Sequence, residues 1–140
     1  MITLTRRYRF SAAHVLARRD WSSERNYAIY GKCANSNGHG HNYSVEVTVR
    51  GELNPETGRL VTLQRLDALV KARVLDRLDG RWLERELPEF EREVPTAENI
   101  ARFVWRALKG EISPATLHRV RLVETENNGV EYGEEDGEQG

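Results

Sequence analysis

The sequence predicts an α+β fold, an antiparallel sheet with helices packed on one of its faces. Two stretches alternate between apolar and polar residues, Ile2 to Phe10, where Arg6 breaks the apolar face, and Tyr43 to Arg50, where the alternation is strict. Between positions 62 and 110 the apolar spacing changes from two residues to three and four. A further pair of alternating stretches closes the chain. The resulting order, β, loop, β-β, α, α, β-β, suits antiparallel pairing.

In the first stretch Ile2, Leu4, Tyr8 and Phe10 share one face while Thr3, Thr5, Arg7 and Arg9 share the other, a half-buried strand. Ala17 to Asn26 is polar, with Trp21 inside a run of charges, and predicts a long surface loop. Tyr43 to Arg50 is rich in valine and is the clearest strand. Asn54-Pro55-Glu56-Thr57-Gly58 is turn chemistry, after which a short strand around Arg59 to Val61 is expected to pair back as a hairpin.

Leu63, Leu66, Leu69, Val70, Val74, Leu75 and Leu78 then mark an amphipathic helix, with Thr62 suited to its N-cap and Gly80 to its end. Arg73, Arg77 and Arg81 form a basic line interrupted by Asp76, Asp79 and Glu84, which reads as a solvated helix face. Pro95-Thr96 opens a second helix carrying Ile100, Phe103, Val104, Ala107 and Leu108. Thr96 suits its N-cap, Glu98 favours the positive end of its dipole, and Gly110 ends it. Leu117 to Glu124 and Gly129 to Tyr132 are two strands joined by the turn signal Asn127-Asn128-Gly129. One domain over 1–132 is expected, followed by an acidic, glycine-rich, disordered tail over 133–140.

Bulk properties narrow the function classes. A chain of 140 residues with 31% charged side chains and a formal net charge of −1 has no global basic surface for nucleic acid. No apolar run is long enough to span a bilayer, and the N-terminus lacks the apolar core of a secretory signal. One cysteine cannot form an internal disulfide. A cytoplasmic protein is expected.

Three of the four histidines have a spacing that matters. His39-Gly40-His41 immediately precedes the strong strand, and in extended backbone residues i and i+2 point to the same side. Both imidazoles can converge on one ion, while Gly38 and Gly40 leave room for close backbone approach. His14, just past the first strand, can close the set from a neighbouring strand. Three neutral imidazoles suit zinc and leave its fourth position open, the pattern of a catalytic site. Cys33 stands between polar, glycine-containing segments and beside Lys32, where its thiolate can serve as a base or nucleophile. Taken as a fourth ligand, Cys33 would instead complete a closed structural site.

Phe10-Ser11-Ala12-Ala13-His14, Gly31-Lys32-Cys33 and Asn37-Gly38-His39-Gly40-His41-Asn42-Tyr43 resemble the 6-pyruvoyltetrahydropterin synthase family. Leu78-Asp79, Pro95-Thr96-Ala97-Glu98-Asn99 and Glu124-Thr125-Glu126-Asn127-Asn128 extend the resemblance, in order, to about Tyr132. That family includes pyruvoyl-forming synthases of tetrahydrobiopterin synthesis and 6-carboxytetrahydropterin synthases of queuosine synthesis. The Cys33-to-His39 spacing resembles the pyruvoyl branch. The resemblance implies the tunnelling fold, a four-stranded antiparallel sheet with two helices on one face, in trimers that stack into a homohexamer. It implies Zn2+ on His14, His39 and His41, Cys33 as general base, Asp79 beside it, and Glu124 holding the pterin edge, with Thr96 and Glu98 lining the pocket. The implied substrate is 7,8-dihydroneopterin triphosphate.

The pattern departs from the family at two places. The usual Asp-His pair is Asp79-Gly80, and the acidic or amide residue before the first helix is Thr62. A glycine cannot relay a proton. The sequence therefore leaves open a pyruvoyl-forming lyase, the carboxytetrahydropterin reaction on the same substrate, and a zinc- and pterin-binding protein of reduced activity.

Overall fold

The computed structural model describes residues 1–134. Strand β1 (Ile2–His14) pairs antiparallel with β2 (His39–Gly51), β2 with β4 (Thr116–Thr125), and β4 with β5 (Asn128–Gly133). Beyond this expected four-stranded antiparallel core, a two-residue strand β3 (Arg81–Trp82) runs parallel to β1 and gives the order β3-β1-β2-β4-β5. Both long strands extend further than their alternation predicts. β1 runs on to His14, and β2 begins at His39, so all three histidines become strand residues.

The alternation decides which face is covered. Tyr43, Val45, Val47 and Val49 of β2 are fully buried, whereas Ser44, Glu46, Thr48 and Arg50 between them remain partly solvated. Burying each such valine stabilises the fold by roughly 1.5–3 kcal/mol. Against that face pack Leu66 and Val70 of α2 (Leu63–Val70), Val74 of a π-helical turn (Lys71–Leu75), and Leu78 of α3 (Asp76–Leu78), which run on without a break. Ile100, Val104 and Leu108 of α5 (Ala97–Leu108) complete the layer. Arg73, Arg77 and Arg81 pair with Glu111, Glu89 and Glu86 at the exposed surface, although Arg81 belongs to β3.

Several local expectations change. The segment predicted as loop, Ala17 to Asn26, runs into α1 (Ser23–Tyr30), capped by the Ser22 hydroxyl accepting from the Arg25 amide. Only Asn26 of α1 is buried, so the helix has no apolar period for a sequence reading to find. The hairpin at Arg59 to Val61 reduces to one bridge, Asn54 with Arg59. Leu60 and Val61 both turn into the core, which an alternating strand does not allow. Thr62 occupies the N-cap position of α2 without a side-chain hydrogen bond. Gly80, at φ +72°, donates its N–H to the Ser11 carbonyl of β1 instead of closing the helix. Gly133, placed in the acidic tail, ends β5, and Glu134 meets Lys109 at 2.8 Å. Residues 135–140 of that tail lie outside the described residues.

Candidate metal centre

The site grows out of strand register. Phe10 lies opposite Tyr43, Ala12 opposite His41, and His14 opposite His39. Phe10 and Tyr43 stack at 4.9 Å and anchor the ladder in the core. Ala12 carries only a methyl group, so the His41 ring has room to turn toward His14, 5.1 Å away between ring centroids. His14 and His39 approach to 4.4 Å, and His39 and His41 to 4.9 Å.

One nitrogen from each imidazole lies within 4.8 Å of the other two, so the cluster could hold a metal ion. Its chemistry fits a cation. The His14 and His39 Nε2 atoms face each other at 2.8 Å, and His41 Nε2 is buried with no hydrogen-bond partner. His14 Nδ1 sits 2.8 Å from the Pro95 carbonyl, which can only accept, so the Nδ1 proton is held there and Nε2 presents its lone pair to the cluster. Burial pushes the His14 imidazole down to about 4, against the opposing effect of the hydrogen bond to the Pro95 carbonyl. Burial, followed by repulsion from His41, also lowers His39. Both rings are neutral at pH 7, the form that binds metals.

Cys33 lies in a 3₁₀ turn (Gly31–Ala34) and is partly exposed. Its thiol is outside the histidine cluster, so the closed Cys-His₃ arrangement does not form. Its carbonyl accepts the Leu16 N–H at 2.8 Å, which brings the turn against the chain leaving His14. Glu124, near the end of β4, places Oε1 3.7 Å from His41 Nε2 and is largely buried. Burial first, then the charges of Glu124, Cys33 and Glu84, push the Tyr43 phenol far up.

Asp79 Oδ1 accepts the Ser11 N–H at 2.9 Å. That bond ties Asp79 to the edge of β1 along which β3 pairs. The Thr96 hydroxyl caps α5 through the Asn99 amide, one residue beyond the carbonyl that holds His14, while Glu98 is exposed in the first turn. Gly38 needs its lack of a side chain, because an added Cβ would stand 2.5 Å from the Trp82 ring. Gly40 does not; its Cβ would make ordinary contact at 3.6 Å. The sequence reading missed Tyr43, Trp82, Glu84 and the Pro95 carbonyl. Tyr43 carried a signal, since it continues the i, i+2 series of His39 and His41; the others carried none.

Residues 3–135 match the family model for 6-pyruvoyl tetrahydropterin synthase. The 6-pyruvoyl tetrahydrobiopterin synthase of Pongo abelii is 41% identical over 129 residues, covering 92% of this chain and 89% of the relative. A 6-carboxy-5,6,7,8-tetrahydropterin synthase from Haemophilus influenzae is 27% identical over 154 residues, covering 96% and 100%. The solved structure of Caenorhabditis elegans 6-pyruvoyl tetrahydropterin synthase superposes with a TM-score of 0.90 at 38% identity, covering 96% of both chains. The architecture is the tunnelling fold of these structures. With sequence and fold in agreement over nearly its whole length, the chain belongs to the 6-pyruvoyl tetrahydropterin synthase family.

Proposed function

We propose that the protein is a zinc-dependent lyase that converts 7,8-dihydroneopterin triphosphate to 6-pyruvoyltetrahydropterin with loss of triphosphate. The observation that carries this reading is the convergence of three imidazole nitrogens within 4.8 Å of one another on paired strands. Family membership supports the substrate class, and the higher identity to pyruvoyl-named relatives supports this branch over the carboxytetrahydropterin one.

Zinc held by His14, His39 and His41 would supply the Lewis acidity that loosens protons on the substrate's side-chain carbons. The remaining roles belong to the chain. Cys33 is the base that takes a carbon-bound proton, and Asp79 belongs to the same proton-handling group. Glu124 accepts hydrogen bonds from the N–H edge of the pterin ring, a bidentate match of carboxylate to paired donors. Thr96 and Glu98 lie at the rim of the pterin pocket. Triphosphate leaves as the electron pair of the new carbon–carbon double bond expels it, and tautomerisation moves the remaining protons without any external oxidant.

The working assembly is a homohexamer of two stacked trimers. Strand β5 is a sheet edge in the single chain, a row of backbone groups that another copy can pair with.

Gly80 favours a second reading, a zinc- and pterin-binding protein of reduced turnover. Position 80 has nothing within 4 Å of where a side chain would begin, and it borders a cavity of about 530 Å³ together with Ser11, His41 and Trp82. Incubation of zinc-loaded protein with dihydroneopterin triphosphate, followed by mass identification of products, separates the possibilities. Triphosphate with the 6-pyruvoyl compound supports the lyase reading. Acetaldehyde with the 6-carboxy compound assigns the other branch, and no turnover with retained pterin binding assigns the second reading. Gly80→His is expected to raise turnover; no gain in a folded variant counts against a defect in Cys33 activation.

A further inference from the structure

The Glu84 carboxylate is placed unusually for a residue at the start of a four-residue helix, α4 (Leu83–Glu86). It turns away from its own helix. Oε1 accepts the backbone N–H of Val15, the residue after His14, and the indole N–H of Trp82 at 2.7 Å. Oε2 is buried with no hydrogen-bond partner. Burying a carboxylate oxygen without a partner is unfavourable, so the group is held where it is by what Oε1 does.

The Trp82 ring carries the connection onward. Its Cζ2 and Cη2 atoms lie where a side chain at Gly38 would begin, at 2.5 and 2.7 Å from that position. Arg85 covers the ring with its guanidinium 3.7 Å from the centroid. Gly38 is bonded to His39. One carboxylate therefore fixes the chain next to His14 directly, and the chain next to His39 through an indole. His14 and His39 are the cross-strand pair whose Nε2 atoms stand 2.8 Å apart.

We propose that Glu84 is a positioning residue for the histidine cluster: by clamping Val15 and, through Trp82, Gly38, it sets the distance between the His14 and His39 imidazoles. The proposal rests on the reading of that cluster as a metal site. It concerns the ends of β1 and β2, where the sheet ladder stops and the flanking chain is held only by isolated backbone hydrogen bonds, the Leu16 N–H to the Cys33 carbonyl and the Gly38 N–H to the Asn35 carbonyl.

The test measures zinc affinity of the purified full chain by chelator competition, with the visible spectrum of the cobalt(II) form and the melting temperature of the metal-free protein beside it. Glu84→Ala is expected to weaken zinc binding roughly 10- to 100-fold, the usual effect of losing an outer-shell partner, and to change the cobalt spectrum. Glu84→Gln keeps an acceptor at Oε1 and is expected to stay within a few-fold of the wild type. If Glu84→Ala does not fold, Trp82→Leu removes the wedge against Gly38 and is read in the same way. Wild-type affinity and spectrum in the folded variant, with only a lowered melting temperature, would mean a merely structural role and overturn the proposal. A wild-type chain that binds no zinc would overturn the metal reading itself, a result distinct from the first.

Discussion

The imidazoles and the thiol of this site rest on different kinds of backbone. His14, His39 and His41 stand on two strands paired over thirteen residues each, with Phe10 and Tyr43 stacked directly below them in the core. Cys33 stands on a short 3₁₀ turn that follows α1, a helix whose exposed face carries Tyr27 and Ile29. A metal centre needs ligands fixed to within a fraction of an ångström, and sheet register supplies that. A base needs only to reach its proton when substrate is present, so a turn suffices. The two halves of the site should therefore fail independently.

The largest expected effect breaks the imidazole half. His41→Ala removes a ligand whose ring is partly exposed, so the fold survives while zinc affinity falls by more than the roughly 100-fold typical of outer-shell losses; isothermal titration checks it. Cys33→Ser should leave zinc affinity at the wild-type level and lower turnover by about 10²- to 10⁴-fold, the usual contribution of a positioned base. A Cys33→Ser variant that also loses zinc would show that the halves are not separate.

Two glycines sharpen the same contrast. Gly38 and Gly80 have nearly the same backbone, φ +71° and +72°, but opposite surroundings. Gly38→Ala must move the Trp82 ring as well as bear the left-handed backbone, a combined loss of about 2–4 kcal/mol. Gly80→Ala meets open space and should lose only about 1–2 kcal/mol from the backbone. Urea unfolding of both variants compares them, and equal losses would mean that Trp82 is not a wedge.

Much of this was legible beforehand. The period of two in β1 and β2 and the period of three to four in α2 and α5 are direct consequences of which side meets the core. His39 and His41 were readable as a pair because extended backbone puts alternate residues on one side. That His14 belongs to the strand itself was not readable, since Ser11, Ala12 and Ala13 carry no strand signal of their own. α1 was invisible because it buries almost nothing. Glu84 was invisible for another reason: its carboxylate bonds to a main-chain amide 69 positions away in the chain, and such a contact leaves no local pattern.

The smallest expected effect lies away from the site, as a control on general stability. The Arg6 guanidinium, followed by the Tyr8 hydroxyl, holds the Asp67 carboxyl below the usual carboxylate range. A lowered native pKa adds stability that is complete above the ordinary carboxylate value and lost as pH falls through the native one. Asp67→Asn should therefore lower stability by up to about 1 kcal/mol at pH 7, a modest figure because the pair is solvated. The gap from the wild type should close as pH drops below about 4, read as urea midpoints across that range. Zinc affinity should not change.

Zinc-edge X-ray absorption on the loaded wild-type protein reads the first coordination shell directly. Three imidazole nitrogens at about 2.0–2.1 Å with one light, exchangeable oxygen is the expected spectrum. A sulfur scatterer near about 2.3 Å, or a shell completed wholly by protein groups, would contradict an open catalytic centre on His14, His39 and His41.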